Sequence, residues 1–133
     1  MHSDAENTVR GMVAKCPGKP ELVSGGNLVA MHMLGAMLVN TGKYQEAERV
    51  EKEVLAYVES RPFLGRDSPQ SISARRIVSR AVWGQGVSRR AEAEALVRET
   101  MEIVEGMGGG KFAVYQEEER KLLETEIMAI LKH

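Results

Sequence analysis

The sequence predicts an all-α protein built as a short α-solenoid, and three observations carry that expectation. Apolar residues recur at three- and four-residue steps along most of the chain, the spacing of one helix face. No stretch alternates polar and apolar residues convincingly as a half-buried strand would. The helical pattern also repeats: Ala5-Glu6 leads to Met12-Val13, Ala47-Glu48 to Val54-Leu55, and Ala93-Glu94 to Thr100-Met101, giving a unit of about 42 to 46 residues. Without gaps, LGAMLVNTG (34–42) aligns to VSRAVWGQG (78–86), which sets Leu34, Leu38 and Val39 over Val78, Val82 and Trp83. Helical pairs of this length cannot bury their apolar faces alone, so they stack quasi-linearly with a concave and a convex side.

The elements follow in order. A short helix over 5–15 ends at Cys16-Pro17-Gly18-Lys19-Pro20. Leu28, Met31, Leu34 and Leu38 mark a helix over 27–40. Ala47, Val50, Val54, Leu55 and Val58 mark its partner over 44–59, across a turn at Thr41-Gly42-Lys43. Residues 61–67 read as a loop. Ser68-Pro69 then supplies a capping hydroxyl and a proline whose missing N–H does no harm in a first helical turn. The next helix carries Ile72, Ile77, Val78, Ala81 and Val82 and stops near Gly84-Gln85-Gly86. Its partner, over 88–105, carries Ala93, Leu96, Val97, Met101 and Val104. A closing helix from Phe112 sets Tyr115, Leu122, Leu123, Ile127, Ile130 and Leu131 against a solvated face of Glu117, Glu118, Glu119, Arg120 and Lys121. The chain divides accordingly, within one domain over 1–133, into a trailing helix of a partial repeat (1–17), a repeat (26–60), a degenerate repeat (68–106) and a C-terminal capping helix (112–132).

Composition narrows the function classes. The chain has 133 residues, a net charge of -1, 5% aromatic residues and eight methionines. It is long enough to bury a core without disulfides or metal, and aliphatic and methionine side chains must fill that core. A near-neutral molecule has no overall field to draw it to nucleic acid or to an anionic membrane. A single cysteine, Cys16, and the lack of a signal-like start lead us to expect an intracellular, cytoplasmic protein. No apolar run approaches the roughly 20 residues that cross a bilayer.

The segment LGAMLVNTGKYQEAERVEKEVL (34–55) resembles the tetratricopeptide repeat family, in the longer form of kinesin light chains and many fungal repeat proteins. It has the Leu-Gly of the first helix, the Gly-x-Tyr turn and the Glu-Ala-Glu opening of the second. LGRDSP (64–69) looks like that family's linker, with Ser68 where histidine is usual. The second repeat is degenerate, with Ser79 at the small-glycine position, Ser88 in place of the turn tyrosine, and VSRRAEAE two residues longer than KYQEAE. The resemblance covers about residues 26–105. An array that opens on half a repeat suggests a C-terminal piece of a longer protein.

That family implies an adaptor or scaffold with no chemistry of its own, whose first helices line a concave groove. Carried over, the groove positions are Val29, His32, Ala36 and Asn40 from one helix, and Ser73, Arg76, Arg80 and Trp83 from the next. Arg76 and Arg80, four residues apart, can fork onto the carboxylates of an acidic peptide. Alternatively, Arg75, Arg76 and Arg80 form a solvated face paired with glutamates of neighbouring helices. Asn40 reads either as a ligand contact or as a helix-end residue. Trp83 reads as a groove anchor or as core filling, and Met31, Met33 and Met37 as an adaptable surface or as core. The partner expected is a protein or peptide, with self-association through the open repeat edge, or a role as the sensor tail of a signalling protein, as alternatives.

Other chemistries find less support. His2, His32 and His133 are dispersed and lack metal-ligand spacing. One cysteine and one central histidine form no recognisable nucleophilic pair, and no Gly-x-Ser-x-Gly is present. No cofactor is therefore expected. VWGQGVSRRAEAEALVRE (82–99) has the look of a DNA-binding helix-turn-helix, but Glu92 stands where an apolar residue is needed, and Glu92, Glu94 and Glu99 would repel phosphate. EGMGGGKFAVY (105–115) is not a phosphate loop. The first glycine of Gly-x4-Gly-Lys falls on Glu105, Phe112 follows Lys111, and the preceding element is helical. It reads as a joint whose glycines end a helix in the left-handed conformation, with residual anion binding at Lys111.

Overall fold

The computed structural model describes residues 4–17, 19 and 22–128. His2, Ile130, Leu131 and His133 lie outside them. Among the described residues every regular element is helical: α1 (Asp4–Lys15), α2 (Leu28–Asn40), α3 (Tyr44–Glu59), α4 (Pro69–Gly84), α5 (Arg90–Gly106) and α6 (Gln116–Leu123), which a wider π-type turn extends over Glu124–Met128. Short 3-10 turns stand at Val87–Arg89, Met107–Gly109 and Ala113–Tyr115.

Local chemistry sets these boundaries. The Ser68 hydroxyl accepts from the Ser71 N–H at 3.2 Å and donates to the Gly65 carbonyl at 2.9 Å, so the cap also fastens the preceding loop. Gly42 (φ 82) and Gly86 (φ 126), which align in the sequence repeat, both turn the chain through the left-handed region between paired helices. Past Gly86 the chain makes a 3-10 turn before α5, so that helix begins at Arg90 rather than at 88.

The glycine run departs from expectation. Gly106 (φ -79) and Gly110 (φ -113) are not left-handed. Instead the Gln116 side chain caps the end of α5, donating to the Val104 and Glu105 carbonyls at 3.0 and 3.1 Å. The closing helix accordingly starts at Gln116 rather than Phe112, and Tyr115 remains 44% exposed. Gly110 serves close approach, since a Cβ there would stand 3.0 Å from Asp67 Oδ2.

Each helix packs on the next in the chain, while α2 also touches α4 and α4 also touches α6. These contacts make one layer of α2, α4 and α6. Ion pairs link the helices behind it: Arg10 of α1 meets Glu46 of α3 at 2.9 Å, and Glu48 of α3 meets Arg89 before α5 at 2.5 Å. Val9, Met31, Leu34, Leu38, Val50, Val54 and Val58 form one core cluster, with Ala74, Ile77 and Ala81 of α4 joining it. Ile72, Val97, Val104, Met107, Leu123 and Ile127 form another, which fastens α6.

Two contacts explain the repeat's sequence marks. A Cβ on Gly35 would lie 2.2 Å from Glu51 Oε1, and one on Gly84 would lie 2.6 Å from the Tyr44 ring. The Leu-Gly glycine thus admits Glu51 of its own partner helix, and the turn tyrosine packs on the following helix.

Candidate functional site

Helices α2 and α4 carry the residues that the family resemblance implies for a groove. Val29 is 71% exposed and Met33 41%, while Ala36 is half-buried. Of the three methionines, Met31 is core and Met37 packs against it, leaving Met33 on the surface. Val29, Met33, Leu28 and Leu64 surround a pocket of about 200 Å³ whose floor is Val54 and Val58 of α3 and whose polar edge is His32 and Gln70. A larger hollow of about 410 Å³ lies around Gly42–Glu46 and Gln85. It is shallower and lacks that apolar floor, so the smaller pocket is the better ligand site.

His32 and Ser73 are brought together. His32 Nε2 stands 2.9 Å from Ser73 Oγ, and His32 Nδ1 stands 2.8 Å from Glu51 Oε2. Glu51 has no exposed surface. Burial pushes its carboxyl above the ordinary range, and the bond to His32 draws it part of the way back. Sequence reasoning left Glu51 out of the site, although a signal existed. It sits four residues after Ala47 and three before Val54, on the apolar stripe of α3, where a carboxylate has to find a partner.

The two arginines part company. Arg80 donates through Nη2 to Asn40 Oδ1 at 2.7 Å, so the exposed Asn40 is tied to α4. No carboxylate of the described residues lies within ion-pair distance of Arg80. Arg76 is different. Its side chain is 7% exposed, with Nη1 2.5 Å from Glu119 Oε2 and Nε 3.2 Å from Glu126 Oε2. The expectation that Arg76 offers itself to a ligand is therefore corrected, because α6 covers it. Glu119, placed on a solvated face by the sequence pattern, is buried. Burial raises its carboxyl and Arg76 opposes that shift. Arg75 is likewise engaged, with Glu59 at 2.5 Å and Glu99 at 2.9 Å. Half-buried Trp83 lies under the Arg90 guanidinium at 4.5 Å, so this ring is no open anchor.

The turn before α5 is occupied too. Arg89 is held by Glu48 and Glu92, and Lys111 sits over the Phe112 ring at 5.3 Å. Among the described residues no group of three His, Cys, Asp or Glu side chains is arranged to hold a metal ion. Among them, no helix is long and apolar enough to cross a membrane.

The architecture defines a stack of antiparallel helical pairs. Residues 28–59, which span α2, the Gly42 turn and α3, match the tetratricopeptide repeat of the kinesin-light-chain type. Such a repeat implies a protein-interaction module, and no catalytic family matches. The comparisons with curated proteins and with solved structures return no match.

Proposed function

We propose that the α2–α4 face binds an extended peptide that places an apolar side chain in the pocket beside His32 and a carboxylate on Arg80. The observation that supports this reading most is Arg80 itself, a half-buried arginine on the exposed end of the face whose only side-chain partner among the described residues is a neutral amide. A guanidinium held in place by Asn40 retains N–H donors for a carboxylate, in the forked geometry that arginine favours. The pocket provides the apolar complement. Val54 and Val58 form a floor that water cannot hydrogen-bond, and Val29 and Met33 form an exposed rim.

Spacing gives the motif. Gln70 at the pocket and Arg80 are ten residues apart on α4, about 15 Å along a helix. An extended peptide covers that distance in about four to five residues. The ligand is therefore a segment with an aliphatic or aromatic residue and an Asp or Glu four or five positions away.

The test is fluorescence anisotropy against an array of labelled peptides in which these two positions and their separation vary. Replacing Arg80 by Ala should weaken the best binder about tenfold and reduce its salt dependence, with the melting curve unchanged. Equal affinity for the Arg80→Ala protein removes the proposal. Arg76 is unsuitable for this test, because its loss also leaves the buried Glu119 of α6 without its ion pair.

A further inference from the structure

Ser73, His32 and Glu51 come from three helices, α4, α2 and α3, and stand in one hydrogen-bonded line. When Glu51 is ionised it can only accept, so the proton of a neutral His32 sits on Nδ1. Nε2 is then left as an acceptor facing the Ser73 hydroxyl. This is the polarity in which an imidazole takes a proton from serine. The His32 side chain is 30% exposed and Ser73 is half-buried. His32 also edges the apolar pocket of about 200 Å³, and so does Gln70, one helical turn before Ser73 on α4, whose side-chain amide makes no hydrogen bond among the described residues.

We propose that Ser73 is an activated nucleophile and that this cluster slowly hydrolyses small esters with short apolar acyl chains. The acyl chain lies in the pocket between Val29, Met33 and Leu64. Ser73 Oγ attacks the ester carbonyl carbon as its proton passes to His32 Nε2, and the Glu51 carboxylate holds the imidazolium that forms. The Gln70 amide donates to the oxyanion. Collapse breaks the bond to the alcohol oxygen, which leaves with the proton from His32, and the acyl group remains on Ser73 Oγ. Water then attacks the acyl-serine and gives a proton to His32. The carboxylic acid departs as Ser73 recovers that proton. Ester and water become acid and alcohol, with no oxidant or cofactor.

The chemistry is slow for a physical reason. Ser73 lies inside α4, where its backbone N–H belongs to the helix, so the oxyanion meets one side-chain donor instead of a backbone pair. Each such donor contributes about 10²–10³ in rate, and the histidine base about 10²–10⁴. This inference does not rest on peptide binding, which is read at Arg80 in a separate assay.

The full chain is assayed at pH 8 with p-nitrophenyl butyrate, and separately treated with a short-alkyl fluorophosphonate and mapped by mass spectrometry. The expected result is saturable hydrolysis above the buffer rate and a single label on Ser73. Ser73→Ala removes one oxygen and should abolish both without moving the melting curve. Glu51→Gln should lower kcat/KM and the labelling rate about a hundredfold, and a circular dichroism melt shows whether that variant is folded. If it is not, Ser73→Ala and the mapped label decide alone. The proposal is overturned if Ser73 in the folded chain takes no label, or if hydrolysis persists in Ser73→Ala.

Discussion

At the scale of single residues, Gly35 shows how little space separates a working repeat from a strained one. The α2 backbone at this point admits Glu51, whose Cγ and Oε1 would stand 2.5 and 2.2 Å from a Cβ. Glu51 Oε1 lacks a hydrogen-bond partner among the described residues. Replacing Gly35 by Ala gains helix propensity of up to about 1 kcal/mol but forces overpacking that costs about 1–3 kcal/mol and drives Glu51 from His32. We expect a net loss of stability and a melting temperature several degrees lower. At Gly42 nothing lies within 4 Å of an added Cβ, so a side chain there meets only backbone strain from the positive φ. A thermal melt that leaves Gly35→Ala as stable as the parent would refute the close-packing account.

At the scale of elements, α6 is fixed by two kinds of contact that respond to mutation in opposite ways. Leu123 and Ile127 bury apolar surface against Ile72, Val104 and Met107, which favours docking in proportion to area. The Arg76–Glu119 pair is buried on both sides, and such a pair roughly breaks even against its own desolvation. Removing one partner is costly, because a charge is left where water cannot reach it. Glu119→Gln should therefore destabilise the chain by about 1–3 kcal/mol, because exposed Glu126 still faces the guanidinium and burial already works against the ionised carboxyl. The double variant Arg76→Met, Glu119→Leu should regain most of the loss. Urea melts of the single and double variants measure this, and a double variant no better than the single one would mean that the pair stabilises on its own account.

At the scale of the whole molecule, three carboxylates that the fold engages pull the pH dependence in two directions. Hydrogen bonding from Arg89 holds Glu48 at about 2, with burial opposing and Lys52 and Gln85 adding to the effect. Its contribution is complete above the unfolded value of 4.5 and is lost as pH falls toward 2. Glu51 and Glu119 run the other way. Their folded values lie above 4.5, so in that window the native state keeps protons that the unfolded state has released. That favours folding at the acid side of the window and is given up as pH rises through the folded values. The melting temperature should thus peak in mild acid, decline somewhat toward neutrality and fall steeply below about pH 4. Glu48→Gln should flatten the acid limb and leave the neutral limb alone, as melts from pH 2 to 8 would show. An unaltered acid limb would place the acid-sensitive group elsewhere.

The amino-acid sequence by itself determined the helices, their pairing and the repeat. Apolar periodicity at Leu34, Leu38, Val50 and Val54, the Ser68-Pro69 cap and the aligned Gly42 and Gly86 act over a few residues, so they can be read without neighbours in space. The family resemblance implied that His32, Ser73 and Arg80 line one groove, whereas helical spacing by itself sets only Ser73 on the side of Arg80, seven positions on along α4. Only the tertiary structure decided which polar groups are free. Arg76 and Arg80 look equivalent along α4, yet Glu119, 43 positions away, buries one and leaves the other open. Glu51 and Ser73 lie 19 and 41 positions from His32 and reach it through two helix crossings. Successive residues on a helix differ in direction by about 100°, so the packing of α2, α3 and α4 selects such pairs, and periodicity along one chain segment carries no record of them.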